Sequence, residues 1–128
     1  MTASKLLKAP DWAREPNAID EDHLKRMTLG DRSLEREVLE IFARQAALML
    51  RRIAGAEPAL AAAAAHTLKG SARGIGAWRV ALAAERLEKA ADGAGVEALT
   101  AAIAELEAAS VEARAAIRAR LGDCADNL

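Results

Sequence analysis

Residues 96–121, VEALTAAIAELEAASVEARAAIRARL, decide the fold. Val96, Leu99, Ile103, Leu106, Ser110, Ala113, Ile117 and Leu121 step by alternating threes and fours almost throughout, a spacing that returns each side chain to one face of an α-helix. A stripe of this length faces a bundle core. Composition agrees: hydrophobic residues make up 52% of the 128, mainly because alanine is everywhere, and β-branched residues are few. That suits closely packed helices and disfavours strands. The fold class is all-α.

Four more helices are legible upstream. Ile19 to Met27 forms a short one, with Glu21 and Asp22 in its first turn, Lys25 and Arg26 later, and Gly30 as its stop. Asp31 caps a second helix, whose apolar positions Leu34, Val38, Ile41, Phe42, Gln45, Leu48 and Met49 carry it to Ile53 before Gly55. Glu57-Pro58 opens a third through Leu60, Ala64, Leu68 and Ser71 to Gly74 and Gly76, with proline where its missing N–H costs nothing. A fourth starts near Ala77 and carries Trp78, Val80, Ala81, Ala84 and Leu87 before Gly93. Short turns between long helices give an antiparallel up-down four-helix bundle with a short extra N-terminal helix. Pro10 and Pro16 punctuate an aperiodic opening, so residues 1–18 read as a tail or arm, 19–122 as the bundle and 123–128 as a C-terminal tail.

Several function classes are excluded early. The net charge is −1 and aromatics are 2% of the chain, with no tyrosine, so neither an electrostatic footprint nor a stacking platform for nucleic acid is visible. Cys124 is the sole cysteine, no signal-peptide pattern opens the chain, and no apolar run approaches a membrane span. A cytoplasmic protein without membrane contact is expected, and a self-contained bundle makes a monomer the expectation. His23, on the short first helix, has no neighbours at metal-ligand spacing and reads as a surface residue. No metal or cofactor is expected.

The third helix contains His66-Thr67-Leu68-Lys69-Gly70-Ser71-Ala72-Arg73-Gly74-Ile75-Gly76. At about 100° per residue, His66 lies about 160° from buried Leu68, with Lys69, Gly70 and Arg73 within about 60° of His66. These four share one outward face. Glycine inside a helix costs about 0.5–1 kcal/mol relative to alanine, which this chain uses freely nearby. Gly70 therefore has a reason: it leaves the imidazole open to close approach by another protein. On His66 and Lys69 alone, an ordinary surface histidine beside a solvated lysine is still the better reading.

The motif alters that balance. His66-x-Leu68-Lys69-Gly70-Ser71, with Gly76 ten residues after the histidine, resembles the histidine-containing phosphotransfer (Hpt) domains of bacterial two-component phosphorelays. Ile19-Asp20, Gly30-Asp31, Phe42 and Leu87-Glu88 also fall where such domains place similar residues, so the resemblance covers residues 18–121. It implies that His66 accepts a phosphoryl group from a receiver-domain aspartate and passes it to a second one. The partners implied are the receiver domain of a hybrid histidine kinase, of a response regulator, or both, with any Mg²⁺ on the receiver. Lys69 would offer charge to the phosphoryl oxygens, Gly70 and Arg73 would border the partner, and Leu68, Ser71 and Gly76 would serve the structure. By helical phase Ser71 sits nearer the core, its hydroxyl bonding to its own backbone, while Gly76 serves the turn.

A neutral imidazole is nucleophilic at cytosolic pH, and its second nitrogen needs an acceptor to orient the ring. If the third and fourth helices form a hairpin, His66 stands about 12 Å above Gly74 and Glu88 about 16 Å above Ala77. Glu88 reaches, but height alone does not separate it from Glu85. The family commonly has glutamine at the equivalent of Glu88. A glutamate would repel the incoming phosphoryl group unless Lys69 balances its charge. Phe42 and Trp78 read as core, with Phe42 also a candidate border of the partner-facing surface.

No glycine-rich phosphate loop is present and the bundle consumes the chain, so the expectation is a phosphocarrier and not an autonomous ATP-dependent kinase. Sensor-kinase dimerisation helices usually place an acid directly after the histidine, where this chain has Thr67. Two readings stay open beside the relay: a helical adaptor without chemistry, and an Hpt domain phosphorylated directly by a kinase.

Overall fold

The computed structural model describes residues 17–126, which form five helices. In chain order they are α1 (Glu21–Thr28), α2 (Arg32–Ile53), α3 (Pro58–Ile75), α4 (Trp78–Ala91) and α5 (Val96–Asp126). Most of the arm expected at the N-terminus, residues 1–16, lies outside the described residues, as do 127 and 128; residues 123–126, expected as tail, instead continue α5.

Local chemistry sets the boundaries. Asp20 and Asp31 cap α1 and α2, each carboxylate accepting an N–H three residues on, from His23 at 3.1 Å and Leu34 at 3.0 Å. Pro58 opens α3 at the first turn, and Gly76 closes it in the left-handed conformation at φ 86°. Leu29 is left-handed too, at φ 55°, beside Gly30 at 75°, so the α1–α2 turn is tight.

The four long helices form a ring of neighbours, α2 on α3, α3 on α4, α4 on α5 and α5 back on α2, with α1 packed on α2 and α3. Ion pairs display the antiparallel run of α4 and α5. Arg79 meets Glu112 at 2.8 Å, and seven residues on, Arg86 meets Glu105 at 2.8 Å, seven residues back. Both helices of the α3–α4 pair bury small side chains, Ala61, Ala65 and Ala72 on α3 and Ala81 and Ala84 on α4, while Ala83 lines a groove shared with α5.

In α5 the expected stripe holds from Leu106 through Ser110 and Ala113 to Ile117, all buried, while Val96 at the open end is exposed. In α2 the stripe is rotated from its expected phase. Leu34, Ile41 and Leu48 are exposed, and the buried set is Glu35, Leu39, Phe42, Ala46, Met49 and Ile53. Arg120 of α5 explains the shift: it reaches Glu21 of α1 and the buried Glu35 of α2, so an ion-paired carboxylate occupies a core-facing position. In α3, Leu60 was expected inside and is 64% exposed, because Ala61, Ala64, Ala65 and Leu68 fill the inward face.

The α3–α4 turn is tied to α1. The Asp20 N–H donates to the Gly76 carbonyl at 2.9 Å, and Trp78 Nε1–H donates to Asp20 Oδ2 at 2.8 Å. That tryptophan hydrogen bond, helped by those from the helix backbone, outweighs partial burial and holds the Asp20 carboxyl below its ordinary value. A Cβ on Gly76 would stand 3.0 Å from both the Cβ and the carbonyl oxygen of Asp20, at a φ that L-residues rarely adopt. Gly76→Ala should cost about 1–3 kcal/mol, read as a lowered urea midpoint with the helical circular-dichroism signal retained.

Candidate functional site

His66 sits mid-helix on α3 with its side chain 69% exposed. Its stretch of α3 is anchored in the core by Leu68, fully buried two residues on, and by the buried Ala64 and Ala65 before it. Nδ1–H of His66 donates to Glu88 Oε2 at 2.9 Å. A carboxylate in that position accepts and cannot donate, so the proton lies on Nδ1 and the lone pair on Nε2, at the other side of the ring.

Glu88 holds a second partner. Lys69 Nζ lies 2.7 Å from the other carboxylate oxygen, Oε1. One glutamate of α4 thus grips two residues of α3 with its two oxygens. Partial burial pushes the Glu88 carboxyl up, but hydrogen bonds from Lys69 and His66 and the Lys69 charge outweigh it, leaving the group below its ordinary value. Lys69 belongs to the outward arc by phase, yet only 14% of its side chain is exposed, because the ion pair folds it against α4.

Glu85, the other candidate at this height, serves a different pair. It meets Arg73 at 3.2 Å and Lys89 at 3.9 Å. Arg73 stays about half exposed on the His66 face, about two turns nearer the α3–α4 turn. Gly70 is exposed, and a Cβ built on it would touch nothing within 4 Å. Its value is therefore not internal packing. Ser71 Oγ donates to the Thr67 carbonyl at 3.4 Å, and Thr67 Oγ1 to the Ala63 carbonyl at 3.2 Å, so both hydroxyls are spent on their own helix. Phe42 is buried in the core.

Two features escaped the sequence. His23 is not a bland surface residue: its Nε2–H donates to the Arg73 carbonyl at 2.9 Å, and its ring meets Trp78 edge-on with centroids 4.8 Å apart. The contact joins residues 50 apart, and no local pattern announces it. The second is a shallow, mainly apolar groove between α2 and α3, lined by Met49, Arg52, Leu60, Ala63, Ala64 and Thr67. Leu60, which by spacing reads as a core residue, lines this groove instead.

The family model of the Hpt domain matches residues 34–127. The chain belongs to the Hpt domain family. The matched segment contains the His66, Lys69 and Glu88 cluster and all four long helices bar the first two residues of α2. No curated protein matches the chain. Among solved structures, this Hpt domain is similar to the X-ray structure of a rice protein assigned as a histidine-containing phosphotransfer protein, with a TM-score of 0.73 and 16% sequence identity over 94% of this chain and 85% of that one. At that identity the likeness is one of fold. No helix of the described Hpt residues is long and apolar enough to cross a membrane.

Because the Glu88 carboxyl is lowered on folding, its contribution to stability is present above the carboxylate's ordinary value near 4.5 and is lost as the pH falls through the lower folded value. Glu88→Gln should therefore destabilise the domain by up to about 1 kcal/mol at neutral pH. The gap between variant and wild type should close on acidification, as measured by urea midpoints across the range.

Proposed function

We propose that this Hpt domain is a phosphocarrier that relays a phosphoryl group between receiver-domain aspartates through a phosphohistidine at His66. The observation that carries the reading is the pairing of an exposed imidazole with a carboxylate on Nδ1, which leaves Nε2 as an accessible nucleophile. In the first step the Nε2 lone pair attacks the phosphorus of an aspartyl phosphate. The N–P bond forms, the P–O bond breaks, and the aspartate leaves with the electron pair. In the second step a carboxylate oxygen of the next receiver attacks, and the N–P pair returns to Nε2.

Lys69 lies on the same helix one turn along and supplies positive charge near the phosphoryl oxygens, where charge stabilisation and alignment dominate the catalysis. Mg²⁺ is assigned to the receiver. Gly70 and Arg73 border the docking face, and the groove beside Thr67 extends it with apolar surface. Contacts of this kind form and release repeatedly, which suits a small, transient interface. The cytoplasm is the compartment that fits a lone cysteine and a receiver partner, and the protein acts as a monomer.

Incubation with a labelled phospho-receiver should place an acid-labile, alkali-stable label on the wild type and none on His66→Gln, which should keep its fold and partner binding. Acid-stable label would refute the carrier reading, and full activity of His66→Gln would favour an adaptor. Labelling by a kinase without any receiver present would favour direct phosphorylation.

Gly70→Leu gives a separate check. Leucine is a better helix former and meets open space here, so stability should rise by up to about 1 kcal/mol while transfer from the receiver is blocked. Unchanged transfer would sink the steric role of Gly70.

A further inference from the structure

We infer that Glu88 is a positioning residue that keeps the proton on Nδ1 of phosphorylated His66, so that the imidazole remains a competent leaving group at alkaline pH. This rests on His66 being the phosphoryl acceptor. The starting observation is the two-oxygen grip of Glu88, on His66 Nδ1 at 2.9 Å and on Lys69 Nζ at 2.7 Å.

The chemistry follows from where charge accumulates. When Nε2 attacks phosphorus and Nδ1 keeps its proton, the ring of the product is cationic. If that proton stays, breaking the N–P bond returns the electron pair to Nε2 and releases neutral imidazole. If it is lost, the leaving group is an imidazolate anion, a far poorer one. A full negative charge at hydrogen-bond distance from Nδ1 opposes the loss of the proton, whereas a neutral amide in the same place accepts the same hydrogen bond without the charge. The arrangement parallels the carboxylate that stabilises an imidazolium in a catalytic triad.

The other charges around His66 are arranged consistently. Lys69 and Arg73 lie on its own helix; Glu88 reaches it from α4, where Glu85 and Lys89 also lie; Asp92, just past α4, lines a groove with Glu88 and Ala62; Arg52 lines the neighbouring groove from α2; and His23 of α1 is engaged by the Arg73 carbonyl. Glu85 is taken up by Arg73 and Lys89, and among the described residues Glu88 is the group bonded to the His66 ring. Lys69 both fixes the carboxylate and offsets part of its charge.

The test uses the full chain phosphorylated with phosphoramidate, with phosphate release from the protein followed between about pH 6 and 10. In Glu88→Gln the alkaline fall in release rate should begin about one unit earlier than in wild type, a rate about tenfold lower on the falling limb, with rates converging at low pH. In Lys69→Gln, where the carboxylate loses its counter-charge, the fall should begin later than in wild type. Superimposable profiles for wild type and Glu88→Gln, or a uniform change at every pH, would overturn the inference and leave the carrier reading intact. Absence of acid-labile label on the wild type would overturn both.

Discussion

Close approach of α3 and α4 is the constraint on which the site depends. A glutamate side chain spans only a few ångströms, yet Glu88 must cross from one helix to reach two residues on another. It can do so where both helices bury small side chains, Ala61, Ala65 and Ala72 on α3 and Ala81 and Ala84 on α4. Larger side chains in the seam would push the axes apart, and interaxial distance depends on the residues at the contact. The alanine richness that first identifies a helical protein is thus also what places a carboxylate under the histidine.

The turn at Gly76 serves the same end by fixing the two helices along their length. Asp20 caps α1, donates its own N–H to the Gly76 carbonyl and accepts from Trp78, so one residue ties α1 to the end of α3 and the start of α4. His23 adds a bond to the Arg73 carbonyl one turn above. Sliding of α4 along α3 would have to break this junction as well as the bond from His66 to Glu88. The short first helix therefore acts as a clamp on the hairpin that carries the site.

Much of this was legible in the sequence, and the failures have physical causes. The α5 stripe, the cap at Asp31, the first-turn Pro58 and the left-handed Gly76 follow from local rules that need no partner. Helical rise also put Glu88 at the right height, although Glu85 could be set aside only once Arg73 and Lys89 were seen to occupy it. The phase of α2 failed because hydrophobicity assigns Glu35 to solvent, and only Arg120, 85 residues away, makes its burial tolerable. Leu60 failed for the complementary reason. In a seam of small residues alanine is the interior side chain, and the larger leucine is left to line a groove.

Lys69 shows why phase alone describes a site incompletely. Angular position placed it on the outward face with His66, and a long flexible stem then carried its charge back to α4. Its ammonium is therefore shared between a carboxylate already present and any anion that arrives at Nε2. A neutral residue at position 88 would leave that charge wholly available to the arriving group. With the glutamate present the Glu88 and Lys69 charges offset each other, so on the proposed reading Lys69 divides its charge between Glu88 and the phosphoryl oxygens it helps to stabilise. On the proposed relay reading a carrier must give up what it accepts, and a cation shared in this way aids transfer in both directions.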